Sequence, residues 1–104
     1  MNKNEITIFG EKLRTLREEA NLSLRVVAEN IGIDTSLLGK IERSERQPTK
    51  EQIKLVANYF NLDVKVLLKE NLSDQIAYRI IKEGADPEIL KVAEKKVQYL
   101  KSRQ

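Results

Sequence analysis

Four polar side chains and one glycine in a single short stretch form the most informative constellation that this sequence offers. Thr35 and Ser36 set two hydroxyls side by side, and Gly39, Lys40 and Arg43 follow at the spacing of one helical face. A hydroxyl donates and accepts at once, while Lys and Arg add positive charge that stays on at neutral pH. The group suits hydrogen bonding to a polar, anionic surface. Composition removes the alternatives. Among 104 residues there is no Cys and no His, so disulfides, thiolate zinc sites, cysteine nucleophiles and imidazole ligands or bases are all excluded. No metal, cofactor or small-molecule ligand is expected. An enzyme would have to run on carboxylate and lysine chemistry, and Asp and Glu fall mainly at helix caps and solvent faces, so none is expected.

Those five residues need a rigid support, and the chain reads as helix throughout: apolar residues recur at helical spacing and no stretch alternates in the manner of a strand. Helix one is predicted over about residues 7–20, with Ile8, Leu13, Leu16 and Ala20 as its apolar stripe, Phe9 beside it and Asn21 ending it. Ser23 caps a second helix, residues 24–31, with Val27, Ala28 and Ile31 inward. Gly32 stops it, and Asp34 caps a third over residues 35–43, whose core pair is Leu38 and Ile41. Gln47-Pro48 breaks the chain. Thr49 and Gln52 have capping-box spacing for a fourth helix to Phe60, ended by Asn61. Asp63 caps a fifth. From Leu68 through Leu72, Ile76 and Ile80 the pattern allows either one helix to about Glu83 or a break at residues 71–73 with Ser73 as cap. Gly84-Ala85-Asp86-Pro87 then supplies a stop, a cap and a first helical Pro for a last helix to about Ser102.

Helix two, the Gly32-Ile33-Asp34 turn and compact helix three form a helix-turn-helix arrangement. Ala28, four residues before Gly32, lets the two helices approach closely. The outward face of helix three is then Thr35, Ser36, Gly39, Lys40 and Arg43. A helix of this kind fits the major groove of duplex DNA when its N-terminal residues meet the base edges.

Residues 8–70 resemble the helix-turn-helix family of phage repressor and Cro proteins, the XRE family. The carrying residues are Phe9-Gly10-Glu11-Lys12-Leu13-Arg14-Thr15-Leu16-Arg17, then Ala28, Gly32 and Ile33, then Leu38-Gly39-Lys40-Ile41-Glu42-Arg43 and Arg46-Gln47-Pro48-Thr49. Asn61-Leu62-Asp63-Val64, ahead of Leu67-Leu68, completes the match. The resemblance implies a five-helix DNA-binding domain over residues 7–70. By position it implies base contacts from Thr35, Ser36 and Lys40, with Gly39 on the same base-reading face close to the DNA backbone, and phosphate contacts from Arg25, Arg43 and Arg46; Lys50, at the start of helix four, is a further phosphate candidate. It also implies a structural ion pair between Arg17 and Glu42. Two positions depart from the pattern. Leu24 stands where a polar residue is usual, and Ser44 stands where Gly is usual, with Gly39 in place of a larger residue.

Residues 71–104 are expected to be a helical dimerisation extension, which makes the fold class all-α: five repressor-like helices with a C-terminal addition. A five-helix domain closes its own core, so the further apolar face of Leu72, Ile76, Ile80, Ile89, Val92, Ala93, Val97 and Leu100 needs something to bury against. A homodimer is expected. The net charge of +3 permits a nucleic-acid partner without demanding one. No apolar run approaches the ~20 residues of a membrane span, and the first residues lack signal-peptide character. A cytoplasmic protein with no membrane partner is expected, with Met1–Glu5 as a loose arm and Lys12 and Arg14 solvated. The expected function is a dimeric regulator of transcription on a palindromic duplex operator. The short form resembles restriction–modification controller proteins. A phage-type repressor and a toxin–antitoxin regulator are the near alternatives, and an interaction module without DNA binding is the alternative of another class.

Overall fold

The computed structural model describes residues 6–104, so the arm expected over Met1–Glu5 lies outside the described residues. Among the described residues there are six helices: α1 Phe9–Glu19, α2 Leu24–Ile31, α3 Thr35–Glu42, α4 Lys50–Tyr59, α5 Val64–Glu83 and α6 Ile89–Ser102. No strand occurs among the described residues. Among the described residues no helix is long and apolar enough to cross a membrane.

Most helix ends are satisfied locally. Ser23, Asp34, Thr49 and Asp63 each accept a backbone N–H from the first turn that follows, which pairs donors that the helix itself cannot use. Thr49 and Gln52 exchange bonds in both directions, at 3.1 and 2.9 Å. Asn21 and Asn61 take left-handed backbone angles at the ends of α1 and α4. Ser44 does the same after α3, with φ of 62°, which gives a physical reason for Gly being usual there.

The structure decides the ambiguity beyond Leu68. α5 is one helix through Glu83, and Ser73 donates its hydroxyl back to the Glu70 carbonyl at 2.7 Å. Two predicted starts move. α1 begins at Phe9, because Ile8 is extended; its buried residues are Phe9, Gly10 and Leu13, whereas Ala20 is exposed. The buried edge follows from Gly10: a Cβ there would collide with the carbonyl of Ile41 and stand 2.7 Å from that of Glu42, so α1 turns its glycine edge to the end of α3. Pro87 lies ahead of α6, because residues 89–91 first bond three residues back in a tight turn.

The chain divides into two compact units, one ending at Asp74 and the other Gln75–Gln104. The first holds the apolar core, in which Leu13, Leu38, Ile53, Leu67 and Val27 are fully enclosed. Its N-terminal helix has no capping side chain at Ile8. Instead Asp74, from α5, accepts from the Phe9 N–H at 2.8 Å. Burial pushes the Asp74 carboxyl above its ordinary value, against the pull of that N–H. Lys12, expected to be solvated, is half-buried and paired with Glu70 at 3.1 Å. In the second unit α6 buries none of its residues.

Candidate nucleic-acid interface

Helices α2 and α3 are each only two turns long, so their mutual angle is set by the turn and by packing. Gly32 ends α2 with φ of 76°, a conformation open to Gly at no steric cost. Its N–H and that of Ile33 both reach the Ala28 carbonyl, at 2.9 and 3.0 Å. Val27, Ala28 and Ile31 from α2 and Leu38 and Ile41 from α3 enter one core. The orientation of α3 is fixed from its other side by the Arg17 guanidinium. It donates to Glu42 through Nε at 2.7 Å and Nη2 at 3.1 Å, and to the Leu22 carbonyl at 2.9 Å. The Glu42 hydrogen bond is the main cause that raises the Arg17 pKa further. α1 and α3 are thereby tied by charge as well as by the Gly10 contact.

With that side buried, α3 presents Ser36, Lys40 and Arg43 outward, with Thr35 and Leu37 half-exposed at its margins. Asp34 caps the helix by accepting from the N–H groups of Ser36 and Leu37, and it also accepts the Ser36 hydroxyl at 2.7 Å. These bonds, the Ser36 hydroxyl first, hold the Asp34 carboxyl below the usual carboxylate range. The Ser36 proton therefore points back to Asp34, and its lone pairs face outward as acceptors.

Gly39 does not lie open on that face. It is buried between two side chains: a Cβ added to it would meet Arg43 Nη1 at 3.1 Å and Leu24 Cδ2 at 3.2 Å. The two departures at Leu24 and Gly39 are thus one feature, an apolar side chain on α2 packed where α3 has none. The cations also separate into two kinds. Arg25 is paired with Glu29 at 3.1 Å and Arg43 with Glu45 at 2.8 Å. Lys40, Arg46 and Lys50 are exposed and make no ion pair among the described residues. Glu45, Asp74 and Gly10 were not legible as functional or positioning residues; the missing cap at Ile8 is the one sign in the sequence that α1 needs a distant acceptor. No cluster of side chains suited to a metal occurs among the described residues.

Two short capped helices, a glycine turn and an outward polar edge on the second define a helix-turn-helix protein. Residues 8–68 match the family model described as a helix-turn-helix domain, and the chain belongs to that helix-turn-helix family. A helix-turn-helix-type transcriptional regulatory protein of Pyrobaculum aerophilum is 36% identical over 80 residues, covering 74% of this chain and 32% of that protein. A helix-turn-helix-type transcriptional regulator of Mycobacterium tuberculosis is 31% identical over 58 residues, 56% of this chain and 41% of its own length. The match thus spans well under half of those two relatives. Control protein C.SmaI of Serratia marcescens is 32% identical over 69 residues, 65% of this chain and 82% of its own. Among solved structures, a chain of the SinR protein/SinI protein complex superposes with a TM-score of 0.55 at 22% identity, covering 91% of this chain and 99% of that one.

Proposed function

We propose that this chain is a sequence-specific regulator that binds a palindromic duplex operator as a homodimer, as a cytoplasmic controller of restriction–modification genes. The observation that carries the DNA-reading part is the outward edge of α3. Its N-terminal turn is held rigid by Asp34, while Ser36 and Lys40 project from a helix whose other side is locked by the Arg17–Glu42 pair. In this reading the unit through Asp74 reads DNA. Thr35, Ser36 and Lys40 meet base edges, Arg43 closes the same outward edge, and Arg25, Arg46 and Lys50 supply the flanking cations.

The dimer rests on a different observation. Ile76, Ile89, Val92, Val97 and Leu100 are each about half exposed or more in the single chain, and Leu72 likewise; Ile80 and Ala93 continue the same stripe. A second copy would cover it. Hiding about 600 Å² of apolar surface per chain corresponds to roughly 15 kcal/mol gross before the entropy of association. Two reading heads about 34 Å apart then match successive major-groove faces. The control-protein reading draws on the C.SmaI relative, much of whose length this chain matches.

Gel retardation of selected and random duplexes over a salt series, with sedimentation of the free protein, tests both parts. Lys40→Ala should weaken the selected site by about 1–3 kcal/mol, and Arg46→Ala should weaken all duplexes alike while lowering the salt slope by about one. Leu100→Arg should yield monomers that bind a half-site only. Absence of salt-dependent binding would favour an interaction module, and a wild-type monomer that binds a full site tightly would remove the dimer.

A further inference from the structure

Arg43 closes α3, and its side chain folds back along the helix it ends. Its Nη1 lies 3.1 Å from the point where a Cβ on Gly39 would stand. A Cβ there would require the guanidinium to give by a few tenths of an ångström. On the other flank Leu24 Cδ2 is 3.2 Å from the same point, so the guanidinium rests beside a slot with an apolar wall. Glu45 holds its other edge: Nε donates to Oε2 at 2.8 Å and Nη2 to Oε1 at 3.4 Å.

A guanidinium has five N–H donors in one plane. Glu45 takes one on Nε and one on Nη2. The two on Nη1 and the second on Nη2 remain, a planar fork of the kind that matches O6 and N7 of guanine. The location suits that role. Residues two helical turns apart share an azimuth, so Arg43 lies in line with Ser36 at the middle of the exposed edge, flanked by Gly39 and Lys40. Folding back brings the guanidinium beside Gly39, one turn nearer the N-terminal residues that meet base edges in such a helix.

Stability gives no reason for the clamp. Its side chains are 55% and 54% exposed, and exposed pairs contribute little. A phosphate contact gives no reason either, since a carboxylate beside the cation opposes the anion, and exposed cations without an ion pair among the described residues, such as Arg46 and Lys50, already suit that task. An orienting carboxylate is useful where a fork must be presented in one fixed plane.

We infer that Arg43 reads a guanine base, with Glu45 and the slot at Gly39 as the positioning elements that aim it. This deepens the DNA-reading function proposed above and rests on it. The resemblance implies only a phosphate contact for Arg43.

The test uses the full chain and synthetic duplexes: selection from a randomised pool, then titration of the selected duplex and its single-base-pair variants. Wild type should favour guanine at one position of each half-site by about tenfold or more. Arg43→Lys keeps the charge but loses the fork. It should erase that preference while leaving binding to random duplex and the salt slope unchanged. Glu45→Gln should blunt the same preference and no other. Gly39→Ala should also blunt it although Ala favours helix over Gly, so a loss of folding would not imitate the result. Sequence-specific binding with an unaltered preference in Arg43→Lys overturns this inference alone. Uniformly tighter binding by Glu45→Gln on every duplex also overturns it, because Glu45 would then act only by repulsion. Wild type that binds no duplex overturns the parent reading and this one together.

Discussion

Breaking the pair between Arg17 and Glu42 should loosen the reading helix and the fold together, by an amount that the local geometry bounds. The Glu42 side chain is 5% exposed and that of Arg17 15%, so each charge depends on the other for compensation. Removing one member of a buried pair costs about 3–5 kcal/mol. Glu42→Ala should fall at the lower end, near 3 kcal/mol, because Arg17 keeps its bond to the Leu22 carbonyl at 2.9 Å. Arg17→Met should fall at the upper end, since the enclosed carboxylate loses its two donors from Arg17. The double variant Arg17→Met/Glu42→Leu replaces both charges by apolar groups and should cost less than either single change. Urea unfolding followed by circular dichroism, with linear extrapolation, gives all three values. The pH dependence follows from the direction of the Arg17 shift. The Glu42 hydrogen bond holds its folded-state pKa above the ordinary guanidinium value, so the contribution is complete below that ordinary value and lost only as pH rises through the folded-state pKa. The difference between wild type and Arg17→Met should therefore be flat across the neutral range from this source. A coupling energy under about 0.5 kcal/mol in the cycle would refute the reasoning, since exposed pairs already reach that value.

Three further outcomes rest on separate contacts. Gly10→Ala sets a methyl against the carbonyls of Ile41 and Glu42; it should destabilise by about 2–3 kcal/mol despite the better helix propensity of Ala, and a neutral effect on the melting temperature would show that α1 and α3 are not in close contact. Ser44→Gly relieves a left-handed residue with φ of 62° and should raise stability by about 0.5–1 kcal/mol, with any loss counting against the strain. Asp74 has a folded-state pKa raised chiefly by burial above 3.8, so its contribution is complete below that pH and declines as pH rises through the folded value; Glu70 and Glu11, whose charges push in the same direction, face it. Relative to wild type, Asp74→Asn should therefore gain stability between about pH 4 and neutrality, and parallel pH–stability curves for the two proteins would contradict the assignment.

The legible part of this protein is the part written within a few residues. Ser23, Asp34, Thr49 and Asp63 cap the helices they precede, and Asn21, Gly32 and Asn61 end the helices they follow, because a cap or a stop acts within one turn. The helix-turn-helix pairing was legible for the same reason. On α1 the reading of Phe9 and Leu13 as inward holds, but Ala20 is exposed and the burial of Gly10 was missed, since that edge depends on the end of α3, brought against Gly10 by folding.

The candidate site divides along the same line. Which residues lie outward on α3 follows from helical spacing, and so do Thr35, Ser36 and Lys40 as the polar edge. Only the tertiary structure decided that Gly39 is covered and that Leu24 fills the space beside it. The same holds for the acceptor that α1 lacks locally, which comes from Asp74, 65 residues away from Phe9 in the chain. Spacing along one helix carries the first kind of fact; the second requires two segments to meet, and no local propensity records where a distant carboxylate or side chain comes to rest.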